Sequence, residues 1–238
     1  MIYKKSSRQS YAISLPKNPN TKKKAGNPMN FNPDSLRLYV VTDRSHTDRQ
    51  TFLTQVESAL AGGATCLQLR EKNLSEAEFT EEAIAVKAIC ERYQVPLIIN
   101  DRLTVALNSR ADGIHVGIED CPVADIRKLT GSNFIIGATA KTVAQARKAE
   151  ADGANYLGVG AVFPSPTKAN AIRITTEDLK HICASVSIPA IAIGGITHTN
   201  VSALRGSGIH GIAVVSAIFS AEDIRKATRE LKEDALLL

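Results

Sequence analysis

From residue 36 to the end of the chain, short apolar runs rich in β-branched residues alternate with longer segments whose apolar positions recur at helical spacing. A strand buried on both faces reads as a continuous apolar run, and a helix covering it reads as a one-sided stripe, so the alternation predicts successive βα units around a parallel sheet. The strand-type runs are 37–42, 65–69, 97–100, 113–116, 134–138, 156–160, 190–193 and 211–215. Helical spacing occupies 48–61, 75–93, 103–108, 123–129, 143–150, 176–185, 200–207 and 221–234.

Short glycine-containing entries precede every second strand: Gly62-Gly63-Ala64, Ala111-Asp112-Gly113, Asp152-Gly153-Ala154 and Gly208-Ile209-His210-Gly211. Glycine after a helix suits a left-handed C-cap. Recurrence at this interval makes consecutive units equivalent and predicts a closed (β/α)8 TIM barrel, whereas an open sheet of flavodoxin type would leave strands over. A body of roughly 200 residues is compact for that barrel, so residues 36–238 are read as a single domain.

Residues 1–35 follow another pattern. Lys4, Lys5, Arg8, Lys17, Lys22, Lys23 and Lys24 occur there among Ser, Asn and Pro with no acidic residue before Asp34. Without apolar periodicity such a segment cannot offset its ordering entropy, and a disordered basic leader is expected. A transit peptide would also lack acidic residues but favours Arg and an amphipathic helix; an idle tail or an upstream start codon fits the composition better. The seven basic residues of this leader account for the formal net charge of +5, leaving 22 basic against 24 acidic residues from Asp34 onward, so no nucleic-acid partner is expected.

The 44% hydrophobic content suffices for a large core. No window approaches the roughly 18 to 20 apolar residues of a membrane span, and no secretory signal is present. Cys66, Cys90, Cys121 and Cys183 lack ligand spacing, which argues against a zinc site or a disulfide framework and suggests a cytoplasmic setting without a membrane partner. The sequence leaves a homo-oligomer open.

In a barrel of this kind the active site lies where strands end and βα loops begin. The second strand runs into Gln68-Leu69-Arg70-Glu71-Lys72, and strand alternation would turn Gln68, Arg70 and Lys72 to one side. The bland alternative is that Arg70 and Lys72 are solvated loop charges. The third and fourth strands run into Asn100-Asp101 and Gly117-Ile118-Glu119-Asp120. Carboxylates from neighbouring strand ends suit a hard cation such as Mg2+, although Asp120 before Cys121-Pro122 also suits a helix cap or turn. The long segment 158–168, ending Ser165-Pro166-Thr167-Lys168, could wrap an anion or serve as a plain linker. Gly194-Gly195 after the seventh strand and Ser216 after the eighth occupy the two loops that commonly bind phosphate in this barrel.

These residues resemble the thiamine-phosphate synthase family. The likeness covers residues 36 to 232 and rests on QLREK at 68 to 72, IINDR at 98 to 102, ADGIHVGIED at 111 to 120, GVGAVFPSPTK at 158 to 168, AIGGI at 192 to 196 and GIAVVSAIF at 211 to 219. The resemblance implies a transferase that joins 4-amino-5-hydroxymethyl-2-methylpyrimidine diphosphate to a thiazole phosphate with Mg2+. By motif, Gln68, Arg70, Lys72 and Asn100 would contact the pyrimidine diphosphate, and Asp101 and Asp120 would hold the metal. Thr139, where the family usually has serine, would face the reacting pyrimidine. Ser165, where threonine is usual, would complete a loop with Thr167 and Lys168. Gly195, Val215 and Ser216 would hold the thiazole phosphate. Ile118 replaces a common glutamine and Lys141 a common histidine.

The implied chemistry needs no protein nucleophile. Ionising the pyrimidine CH2–O bond leaves a delocalised carbocation and a diphosphate of added charge, which Mg2+, Arg70, Lys72 and Lys168 would neutralise as the bond breaks. His115 reads as tuning the barrel mouth; His46, His181, His198 and His210 fall in helices or turns. Two alternatives remain: a thiazole tautomerase of the same fold, which resembles this pattern but carries histidine where this chain has Ala161, and a non-catalytic protein that binds thiamine phosphate.

Overall fold

Eight short parallel strands pair in sequence order, and the last pairs back onto the first to close a barrel. The computed structural model describes residues 31–44, 47–164 and 173–238. The strands are β1 (Leu38–Val41), β2 (Cys66–Leu69), β3 (Leu97–Asn100), β4 (Gly113–Val116), β5 (Ile135–Ala140), β6 (Tyr156–Gly160), β7 (Ala190–Ile193) and β8 (Gly211–Val214). The helices are α1 (Arg49–Ala61), α2 (Glu76–Tyr93), α3 (Leu103–Asn108), α4 (Val123–Thr130), α5 (Val143–Ala151), α6 (Thr176–Ala184), α7 (Ser216–Phe219) and α8 (Ile224–Ala235). The (β/α)8 TIM barrel expected from the sequence is the observed fold.

Local chemistry sets the helix ends. Ser75 opens α2 with a reciprocal capping box to Glu78, and Thr175 opens α6 in the same way with Asp178, each satisfying amides that a helix start leaves without partners. Outward strand residues such as Val40, Leu67 and Leu69 pack with Phe52, Phe79 and Val86 of the helices. Inward residues form a second core of Leu36, Tyr39, Val41, Cys66, Ile98, Tyr156, Ile191 and Ala213. No helix of the described residues is long and apolar enough to cross a membrane.

Three expectations need correction. The segment 200–207 is not an α-helix but a single 3-10 turn, Val201–Leu204, because Gly206 (φ 70°) and Gly208 (φ 83°) turn the chain left-handed immediately afterwards. The eighth strand stops at Val214, and Val215 leads into α7, which four residues are too few to announce by periodicity; the final helix accordingly begins at Ile224, capped by Asp223. The leader boundary at residue 35 falls inside a 3-10 helix, Pro33–Leu36, and residues 1–30 lie outside the described residues. The Asn32 side chain caps this helix by accepting from the Asp34 amide, and Leu36 is fully buried. Phe31 stacks on Tyr156 with ring centroids 5.9 Å apart, so this segment closes the N-terminal end of the barrel.

Candidate active site

At the opposite end, β2 turns Gln68 into the barrel, where its Nε2 donates to the Tyr39 hydroxyl at 2.8 Å. The strand ends at Leu69, so the alternation expected to carry on to Lys72 stops there. Arg70 is anchored by its own backbone, its amide donating to Thr42 Oγ1 at 3.0 Å, and its side chain is half-buried beside Asp101. Lys72 is exposed.

Asn100 ends β3, and Asp101 follows it in a left-handed turn (φ 61°), a conformation that aspartate tolerates better than most residues. Its amide donates to the His115 carbonyl of β4 at 2.9 Å, while the Asn100 side chain donates to its carboxylate. Asp120 folds back over the β4–α4 loop, accepting from the Gly117 amide at 2.7 Å. A Cβ on Gly117 would lie 2.8 Å from that carboxylate oxygen, so glycine permits the fold-back. Burial, then the charge of Asp120, pushes the Asp101 carboxyl up to about 6, against the opposing influence of Asn100 and Arg70.

Such a pair suits a hard divalent cation, whose charge would relieve the repulsion. Among the described residues no group of three or more His, Cys, Asp or Glu side chains is placed to hold a metal ion. A cation here would therefore rely on two carboxylates and complete its shell with water or substrate oxygens, as Mg2+ commonly does.

A second acidic cluster lies beneath the β2–α2 loop and escaped sequence reasoning. Glu82 of α2 is 1% exposed and accepts from Arg44 Nη1 at 2.6 Å. Glu71, between Arg70 and Lys72, shares a hydrogen bond with Glu82, and burial followed by that neighbour's charge raises its carboxyl to about 7. The buried Oε1 atoms of both residues lack an N–H or O–H donor, a need that one proton held between the two carboxyls would meet.

Thr139 points inward from β5, with its Oγ1 at 3.1 Å from His115 Nε2. His115 is thus drawn into the barrel interior from β4. His181 and His198 instead pair on the surface with Glu177 and Asp234, and His46 lies outside the described residues.

Across the mouth, β7 runs into Gly194 (φ 106°) and Gly195 (φ 64°). A Cβ on Gly195 would stand 2.1 Å from the Pro164 carbonyl oxygen, and Asn200 Nδ2 donates to the Gly195 carbonyl at 2.9 Å. The β6–α6 loop is laced along this turn by Val162 N–H to the Ile193 carbonyl and Phe163 N–H to the Gly194 carbonyl, both at 3.0 Å. Val215 caps α7, and its carbonyl accepts from the Ile218 and Phe219 amides, so the amides that the turn leaves without an intrahelical acceptor are those of Ser216 and Ala217. The two loops therefore offer glycine and helix-start amides on the side opposite Asp101 and Asp120. Ser165, Thr167 and Lys168 lie outside the described residues.

A closed barrel with cations and a carboxylate pair on one side of its mouth and an amide cradle on the other defines an enzyme class that handles phosphorylated small molecules. The chain belongs to the TMP-TENI thiamine monophosphate synthase family, which it matches over residues 38–218. It is 48% identical over 199 residues to thiamine-phosphate synthase 2 of Streptococcus pneumoniae serotype 4, covering 84% of this chain and 95% of that one. It is 47% identical over 194 residues to the thiamine-phosphate synthase of Clostridium tetani, covering 82% and 93%. Among solved structures, a thiamine phosphate pyrophosphorylase from Pyrococcus furiosus superposes with a TM-score of 0.79 at 40% identity, covering 86% of this chain and 98% of that one.

Proposed function

We propose that the barrel joins 4-amino-5-hydroxymethyl-2-methylpyrimidine diphosphate to a thiazole phosphate, releasing thiamine phosphate and pyrophosphate. The names of relatives that match nearly end to end support this reading, as does a mouth with Arg70 on one side and the Gly194-Gly195 turn on the other. The observation that carries the division of labour is the Asp101–Asp120 pair with Arg70 beside it.

The diphosphate belongs on the β2–β4 side. Arg70 and Lys72 would meet its oxygens there, and Lys168 would approach from the β6–α6 loop. Asp101 and Asp120 would hold Mg2+, which when bound supplies Lewis-acid neutralisation of charge gathering on the leaving group. Gln68, Asn100 and Thr139 line the pocket for the pyrimidine ring. Cleavage of the CH2–O bond gives a cation delocalised over the amino-pyrimidine, and cationic side chains strengthen their hold on the diphosphate as that bond breaks, which lowers the barrier. Gly195, Val215 and Ser216, with Ser165 and Thr167, would anchor the thiazole phosphate so that the ring nitrogen waits beside the cation.

A cytosolic setting belongs to this reading, in keeping with four free cysteines. Incubating purified chain with both substrates and Mg2+ tests it. Thiamine phosphate should accumulate, and folded protein that forms none would overturn the assignment.

A further inference from the structure

The barrel interior holds a continuous row of polar groups from five strands. Gln68 Nε2 of β2 donates to the Tyr39 hydroxyl of β1 at 2.8 Å, and the Tyr39 and Tyr156 hydroxyls lie 2.8 Å apart. The Tyr156 hydroxyl of β6 is 3.2 Å from His115 Nδ1 of β4, and His115 Nε2 is 3.1 Å from Thr139 Oγ1 of β5. Both tyrosines are at most 1% exposed. Burying such groups is costly unless each finds partners, so the row is kept only as a connected whole.

Space for it is built into neighbouring strands. The register sets Gly137 between His115 and Tyr156, and Gly158 beside Thr139. A Cβ on Gly137 would lie 2.3 Å from the Tyr156 hydroxyl and 2.6 Å from His115 Nδ1; one on Gly158 would lie 2.9 Å from His115 Cε1. Any side chain at either position would displace the imidazole or the phenol.

Satisfying every member gives the row a direction. With the Gln68 amide donating to Tyr39, each hydroxyl hydrogen finds an acceptor when Tyr39 donates to Tyr156 and Tyr156 to His115 Nδ1. In that arrangement Nδ1 accepts, and the imidazole would carry its hydrogen on Nε2 and donate to Thr139. The Thr139 hydroxyl, accepting from the imidazole, would keep its own hydrogen to donate outward.

The geometry points to His115 and Tyr156 as positioning residues that fix the Thr139 hydroxyl as a hydrogen-bond donor toward the pyrimidine diphosphate. This rests on the synthase reading for what Thr139 faces, whereas the row itself is testable without substrate. In the ligand-free protein, 15N–1H spectra of the imidazole should show the Nε2-protonated tautomer for His115, and Tyr156→Phe should convert it to a mixture. A His115 found protonated on Nδ1 alone would overturn the direction of the row whatever the protein's activity.

Kinetics test the consequence. Tyr156→Phe keeps the buried ring and removes one hydroxyl; His115→Gln retains a donor where Nε2 stands, and His115→Asn does not. Tyr156→Phe and His115→Asn should each lower kcat about five- to tenfold with the KM for thiazole phosphate unchanged, and His115→Gln should recover part of the loss. In a Thr139→Val background the same changes should cost less than about twofold, because the hydroxyl they act through is gone. Losses that multiply fully in that background, or a KM for thiazole phosphate that rises with them, would overturn the proposal.

Discussion

Asp101, at the end of β3, faces Asp120, from the loop after β4, closely enough that the charge of Asp120 adds to burial in holding the Asp101 carboxyl up near 6. The register of Asn100 with His115 sets the two strand ends level. Asp120 is fixed independently by the Gly117 amide, so the pair cannot relax apart without losing that bond.

Replacing Asp120 separates its electrostatic role from this structural one. Asp120→Asn keeps an oxygen for the Gly117 amide and removes the charge. The expected result is a kcat reduced on the order of a hundredfold with little change in the KM for thiazole phosphate, since the loss falls on the departing group. Steady-state kinetics varying each substrate in turn makes the check.

Protons and Mg2+ compete for Asp101. Because its carboxyl is held near 6, apparent Mg2+ affinity should rise about fivefold between about pH 5 and 6 and level off above about pH 7. Calorimetric titration of the substrate-free chain in buffers of different ionisation enthalpy should show proton release on binding only in the acid range.

The Glu71–Glu82 pair predicts a stability change of the opposite sense to an ordinary ion pair. Glu71 titrates near 7 in the fold against an ordinary value of 4.5. The folded chain thus holds the proton more tightly than the unfolded chain, and this support is complete below the ordinary value and lost as pH rises through 7. Glu71→Gln, which mimics the protonated form, should raise Tm relative to the parent near pH 8 and have little effect near pH 5. Thermal melts at the two values decide it.

Gly195 joins backbone conformation to binding. Gly195→Ala forces a side chain into φ 64° and against the Pro164 carbonyl oxygen. The KM for thiazole phosphate should rise about tenfold or more while binding of pyrophosphate changes little, as measured by equilibrium titration of each ligand.

The barrel was legible because its signals are local. Gly63 (φ 103°), Gly153 (φ 96°) and Gly208 (φ 83°) are left-handed where glycine entries marked the ends of helical segments. At the fourth such entry Arg110 (φ 56°) takes the left-handed position, and Gly113 serves a close approach to the Ile135 carbonyl instead. Asp101, Asp120, Gly195 and Ser216 stand out in the sequence as candidates because strand ends define the mouth. The row through Tyr39, Tyr156 and His115 joins residues 41 and 117 positions apart, and only the strand register brings them together. Inward parity of these residues and the gaps at Gly137 and Gly158 were the available signals. Glu82 shares α2 with Glu76, Glu78, Glu81 and Glu91, and nothing local distinguishes it until the helix docks.

A crystal structure with thiamine phosphate, pyrophosphate and Mg2+ tests most directly whether two anions are held on opposite sides of one mouth. Pyrophosphate and the metal should lie against Arg70, Lys72, Asp101 and Asp120, and the thiamine phosphate group against Gly195 and Ser216. Pyrophosphate bound away from those four side chains would contradict the account.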